Sequence, residues 1–298
     1  MLYKFHSYQD YVVKSIAEGS VYFASRSQFN DPLDCNPPIV APTYKRFKQV
    51  FSRAISSLSC CGQDFKDFAT SEKALEIFYR PLADAKGLAH NVRPLVDRVG
   101  VLCLTRRFDH PLMWGHYADG HRGFCIGYNI EESYKYLWEN VDFLYEKSIF
   151  IRPVEYSNEP IDALEIYSVV VSLMLSQSPK KNTDGNLSYK DALGVFENKA
   201  LMAQFFYYYC IHHLTHKHES WSYEEEVRLL ALPNGDDKRN GVRALRPSII
   251  KQVIFGAEMP NTQRDSLRSA LKGSDVSFYE AVFSPKELGV DIVPVGTN

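Results

Sequence analysis

Cysteine is scarce in this chain, and it is scattered. Cys35, Cys60, Cys61, Cys103, Cys125 and Cys210 form no C-x-x-C pair, which argues against a disulfide frame and against a thiolate zinc knot. Cys103 and Cys125 lie in apolar, strand-like contexts and read as buried thiols. Long apolar runs are also missing: none approaches the ~20 residues that a membrane span requires. The opening Met1-Leu2-Tyr3-Lys4-Phe5-His6 turns polar too soon for a signal peptide. A cytoplasmic protein without a membrane partner is therefore expected. Charge of one sign is not in excess either, with 34 basic against 36 acidic residues and a formal charge of −2. Bulk electrostatic attraction to nucleic acid is thereby excluded, leaving only a local basic patch as a route to it. No internal repeat, low-complexity tract, G-x-x-x-x-G-K-[ST], G-x-G-x-x-G or G-x-S-x-G occurs, so P-loop, Rossmann and hydrolase-elbow chemistry find no support.

Aromatic side chains, by contrast, are plentiful, at 13% with 19 Tyr and 18 Phe. Such rings fill cores, but they also line pockets and stack on planar ligands. Periodicity predicts a strand over 2–6, a helix over 8–18 stopped by Gly19, and a strand over 21–25. Asn30-Asp31-Pro32 then marks a turn, because both polar side chains bond nearby backbone and proline fixes φ. Two apolar stripes make 43–99 a helical insertion. Val101 to Leu104 reads as an interior strand and 151–156 as another. A helix over 161–175, a polar loop over 176–190 and a helix over 192–213 follow, the last carrying the block Phe205-Phe206-Tyr207-Tyr208-Tyr209. Strands over 221–232 and 250–255, a helix over 264–271 and a closing strand over 276–282 complete the chain. Strands and helices mix irregularly, so a single α+β domain spanning 1–298, with a mixed or antiparallel central sheet, is expected.

Two stretches concentrate chemistry. Residues 113–128 hold Gly115, Gly120, Gly123 and Gly127 among Trp114, His116, Tyr117, Asp119, His121 and Arg122. They read as a short helix or turn feeding a strand on which Phe124, Ile126 and Tyr128 face one way and Cys125 and Gly127 the other. The glycines permit close approach of backbone or ligand. The second stretch is Lys217 to Leu230. On a strand, Glu224, Glu226 and Arg228 share one face, and Arg228 can pair with one carboxylate and orient it. The plainer reading is an edge strand with protective charges.

His212 and His216 stand i, i+4, as metal ligands on a helix can, yet no H-E-x-x-H pattern accompanies them. A metal-dependent phosphodiesterase or nuclease built from His116, Asp119, His121, Asp31 and Glu224 is one alternative function. A non-catalytic sensor whose aromatic pocket captures a nucleotide, or a partner-binding protein, is another. Cys125 is a weak nucleophile in its apolar alternation.

Taken together, Leu2-Tyr3-Lys4-Phe5, Val21 to Ser25, Phe29 to Asp34, Leu112 to Ile126 and Lys217 to Arg228 resemble the bacterial family DUF2971, whose label carries no activity. A remoter similarity joins the first strand, the helix ended by Gly19, the second strand and the late glutamate strand to the ADP-ribosyltransferase layout. That similarity implies NAD as substrate and ADP-ribose transfer to water or to a protein or nucleic-acid acceptor. It also suggests a toxin or phage-defence effector. Mapped onto this chain, it makes Glu226 the carboxylate that supports the ribosyl cation, with Glu224 second and His116 beside them. Tyr3 and Lys4 (or His6) on the first strand, Tyr22, Ser25, Asn30, Asp31, Trp114, Tyr117, His121 and Arg228 would surround the nucleotide. The chain departs from that layout in carrying Lys4 where His or Arg is usual, and in keeping only Ser25 of a Ser-Thr-Ser pattern. No metal site is implied.

Overall fold

The computed structural model describes residues 1–57, 63–84, 87, 90, 93–94, 96–130, 149–164, 209–232, 241–244 and 249–295. They form two compact units. The first comprises Met1–Phe29, Arg98–Tyr156 and His218–Asn298; the second comprises Asn30–Asp97 and Ser157–Lys217. In chain order the strands are β1 (Leu2–His6), β2 (Ser20–Phe23), β3 (Ile39–Val40), β4 (Gly100–Thr105), β5 (Phe124–Tyr128), β6 (Ile149–Pro153), β7 (Glu155–Tyr156), β8 (Ile161–Asp162), β9 (His216–Lys217), β10 (Glu226–Ala231), β11 (Gly241–Ala244), β12 (Ile250–Phe255), β13 (Ser277–Phe283) and β14 (Val290–Pro294).

The first unit is built on an eight-stranded sheet ordered β14-β13-β12-β5-β1-β4-β10-β6. Every pairing in it is antiparallel except β12 with β13. That parallel step needs a crossover, supplied by the helix Asn261–Ala270. The fold is α+β, with a mixed and mostly antiparallel sheet. Alternation sets the two faces. Phe124, Ile126 and Tyr128 join Leu102, Leu104, Leu229, Val253 and Phe255 in the main core, under Val13 and Ile16 of the helix Asp10–Ala17 and Leu267 of the crossover helix. Tyr3, Phe5, Cys125 and Ile254 face the other way, against Trp114 and Met113 of the helix Pro111–Tyr117. Helices cover both faces at this point, so every residue of β5 is buried.

The edge of β4 that faces β1 is shared. Tyr3 pairs with Thr105 at one end, whereas Ala24, just past β2, bridges Val101 near the other. Between them the Cys103 carbonyl accepts the Lys4 ammonium at 3.2 Å. A lysine thus bridges the place where two backbone segments diverge along one strand.

In the second unit the helices Tyr44–Ser57, Gln63–Ala69 and Glu72–Ala83 bury Phe47, Phe51, Ile55, Leu75 and Leu82 in a core of their own. β3 and β8 pair in parallel, and Lys217 meets Asp34 at 3.2 Å with both side chains buried. The helical reading of 43–99 thus holds where residues are described. Of the helix expected over 161–175, the described part begins with β8 instead. The loop over 176–190 and residues 205–208 of the aromatic block lie outside the described residues, and residues 209–215 are helical. Two further expectations are corrected. The strand expected over 221–232 starts only at Glu226, and β13 is not the last strand, because β14 folds back onto it.

Two glycines are fixed by close backbone approach. A Cβ on Gly123 would stand 2.0 Å from the His6 carbonyl oxygen, and one on Gly256 would stand 2.1 Å from that of His121, whereas one on Gly115 meets nothing within 4 Å. Gly123→Ala and Gly256→Ala are each expected to lower unfolding free energy by about 2 kcal/mol or more. Gly115→Ala, inside a helix, should raise it by roughly 0.5–1 kcal/mol. Denaturant unfolding of the three variants checks this.

Candidate functional site

The approach to β10 is not extended. His218 caps a 3-10 turn, Glu219–Glu224, its Nδ1 accepting the Ser220 amide at 3.2 Å. Glu225 then takes a left-handed conformation, φ 42° and ψ 48°, before the strand begins. The expected common face of Glu224, Glu226 and Arg228 is therefore corrected. Strand alternation relates Glu226 to Arg228, while Glu224 belongs to the turn and is aimed separately.

Arg228 donates through Nε to Glu226 Oε1 at 2.7 Å and through Nη2 to Oε2 at 2.8 Å. The arginine side chain has no exposed surface and the glutamate 5%. Register places the pair in a row, with Glu226 opposite Thr105 and Arg228 opposite Cys103, on the Tyr3 face of the sheet. Phe29 lies against the guanidinium, 5.3 Å from ring centroid to Cζ, and the Glu226 amide donates to the Tyr156 hydroxyl oxygen at 2.8 Å. Burial, and next the Glu226 carboxylate, push the Cys103 thiol well above its ordinary range. Burial does the same to Cys125. Neither is a thiolate nucleophile. A buried bidentate pair of this kind fixes geometry, and breaking it by removing one partner costs about 3–5 kcal/mol.

Glu224 is also buried, and its Oε1 accepts the Tyr117 hydroxyl at 2.6 Å. Tyr117 ends the helix Pro111–Tyr117, whose start is set by Pro111 and by His110 Nδ1 accepting the Leu112 amide. A run of rings extends from Tyr117, beginning with His116 at 6.2 Å. His110 stacks on Tyr223 at 5.3 Å, His116 lies 6.4 Å from Tyr223, and Trp221 lies 6.2 Å from it. His116 is exposed and Tyr117, Trp221 and Tyr223 are half-buried. The result is a shielded carboxylate with a phenol donor, bordered by accessible planar side chains.

The other sequence-selected residues divide. Tyr3 shares the face of Glu226 and is anchored to Gln252 at 3.1 Å; burial, first of all, raises its phenol pKa. Lys4 pairs across to Ile126, so it starts from the opposite face. Ser25 is held in a capping box with Gln28, and Tyr22, exposed, exchanges hydrogen bonds with the same glutamine. Trp114 is fully buried, its Nε1 bonded to the Phe108 carbonyl at 2.9 Å, so it is a core residue and not a pocket wall. His121 stands beyond Trp114, against Phe283. Asp119, Gly120 and His121 form a left-handed run that ends the helix and turns the chain into β5. Asn30 and Asp31 belong to the second unit. There Asp31 does what turn chemistry expects, accepting the Leu33 amide at 2.9 Å.

Among the described residues no three His, Cys, Asp or Glu side chains stand together as a metal site. The set His116, Asp119, His121, Asp31 and Glu224 is therefore not assembled. His216 instead bonds the Glu159 carbonyl through Nε2. No described helix is long and apolar enough to cross a membrane. Sequence reasoning missed His110, Thr105, Arg107 and Tyr223. Of these only Tyr223, next to Glu224 and two residues from Trp221, carried a signal.

Residues 113–229 match the family model described as "Protein of unknown function (DUF2971)". The match runs from within the helix of Tyr117 into β10, so it includes both carboxylates and Arg228. No curated protein and no solved structure matches the chain.

His6 stacks on Phe124 at 5.4 Å, and its Nε2 is buried without a partner. Burial, with Lys4 adding to it, lowers its pKa from 6.5 to about 3. The folded state holds the neutral ring, whereas the unfolded chain takes up a proton below pH 6.5. Stability from this group is thus complete above that pH and is lost as pH falls toward about 3, a change on the order of 3–5 kcal/mol. Chemical unfolding across that window should show the loss in the parent and a flatter profile in His6→Phe; equal slopes would contradict it.

Proposed function

We propose that the chain is an NAD-directed glycosyl-transfer enzyme, which releases nicotinamide and passes ADP-ribose to water or to a macromolecular acceptor. The observation that carries this reading is Glu224, a buried carboxylate bonded to the Tyr117 phenol, from which a run of rings extends through His116 and Tyr223 to His110. Breaking the nicotinamide–ribose bond sends the electron pair to the pyridine nitrogen and leaves an oxocarbenium-like ribose. A fixed carboxylate in a shielded setting supports that positive charge. Planar half-buried side chains suit the two flat rings of the substrate.

Of the two carboxylates we assign the reacting role to Glu224. Glu226 has both oxygens bonded to Arg228, which opposes its use against a second cation and suits it to holding the strand under the turn. The resemblance of the strand order in sequence to the ADP-ribosyltransferase layout motivates the reading and would suit a toxin or phage-defence setting; the DUF2971 match itself carries no activity. A metal-dependent phosphodiesterase is less favoured, since its ligands are not gathered among the described residues.

The test is nicotinamide release by the purified chain with NAD. Glu224→Gln should lower release by at least about a hundredfold with the melting temperature unchanged, because glutamine still accepts the Tyr117 hydroxyl. Glu226→Gln should lose stability along with activity. Binding of NAD without release would favour a sensor, and parental release in Glu224→Gln would overturn the assignment.

A further inference from the structure

Glu225 is the one left-handed residue at the site, and its long side chain gives it no local reason to be there, unlike the Asp and His residues that tolerate such a conformation. A glycine would fit without strain. What holds it is the segment Thr105–Arg107. The Thr105 hydroxyl donates to the Glu224 carbonyl and accepts the Arg107 amide at 2.8 Å. The Arg106 amide donates to the Glu225 carbonyl at 3.2 Å. Arg107 Nη1 reaches Glu225 Oε1 at 3.2 Å, while its Nε is fixed on Asp109 at 2.9 Å. Backbone and side chain of the turn are therefore both tied to the end of β4, the strand against which β10 is registered. The left-handed step diverts Glu224 toward Tyr117 while Glu226 stays on the sheet face, so the two carboxylates leave the backbone in different directions.

We propose that Thr105 and Arg107 are positioning residues for Glu224, acting through Glu225, whose retained strain keeps that carboxylate aimed. The inference rests on the glycosyl-transfer reading and deepens it. It implies that stability and activity move in opposite directions at this position. Glu225→Gly removes the strain and the Arg107 tie together. Its melting temperature should rise by about 2 °C or more, while kcat for nicotinamide release falls about tenfold to a hundredfold and KM stays near parental. Arg107→Ala breaks an exposed ion pair, so its melting temperature should stay within about 2 °C while kcat falls as in Glu225→Gly. Arg107→Lys should recover part of the loss, since a point charge replaces the fork. Parental kcat in Glu225→Gly or in Arg107→Ala overturns the inference and leaves the glycosyl-transfer reading intact. Absence of release in the parent chain overturns both.

Discussion

The ion pair between Glu226 and Arg228 is the constraint on which the rest of the site depends. Both charges are out of water, and each meets the other with two hydrogen bonds that offset the cost of burial. The pair does not have to add net stability to matter. It imposes a single geometry, because a displaced guanidinium would forfeit both hydrogen bonds inside the protein. β10 enters the sheet between β4 and β6 with that row fixed, so the turn at Glu225 leads into a strand whose start is set.

Polarity on this sheet is distributed by face. One face is apolar across β4, β5, β10 and β12, which is where helix burial stabilises the unit; β1 adds Leu2 to it beside Lys4 and His6. The other face is apolar around Trp114 and changes character at Glu226 and Arg228, where Phe29 covers the guanidinium. Glu224 and its rings sit at the rim of that change. A carboxylate there is shielded enough for its charge to act strongly, yet it borders side chains that remain accessible.

Much of the fold was legible in the sequence because period-2 alternation and helical stripes are local. Phe124, Ile126 and Tyr128 fell on one face as the alternation required, and Val101 to Leu104 lay inside the sheet as a continuous apolar run should. The Asn30-Asp31-Pro32 turn likewise followed from short-range chemistry. The site was legible only in part. Glu224, Glu226, Arg228, His116 and Tyr117 were all visible as unusual residues, but alternation alone placed Glu224 on the strand. The backbone reverses at Glu225, whose side chain gives no turn signal; the cause is Thr105–Arg107, about 120 residues away in sequence, and no local pattern records such a partner. Trp114 misled for a related reason. An indole beside glycines reads as a pocket wall until the Phe108 carbonyl that accepts its N–H is known.

The central claim, that one buried pair sets this geometry, is tested most directly by a double-mutant cycle of Glu226→Leu and Arg228→Met, followed by denaturant unfolding. Each single change removes the bidentate partner of a buried charge and should lower unfolding free energy by about 3–5 kcal/mol, while the double change lowers it far less. A coupling of about 2 kcal/mol or more is the expected result. Additive single effects of under about 1 kcal/mol each, the size of a solvent-exposed pair, would contradict it.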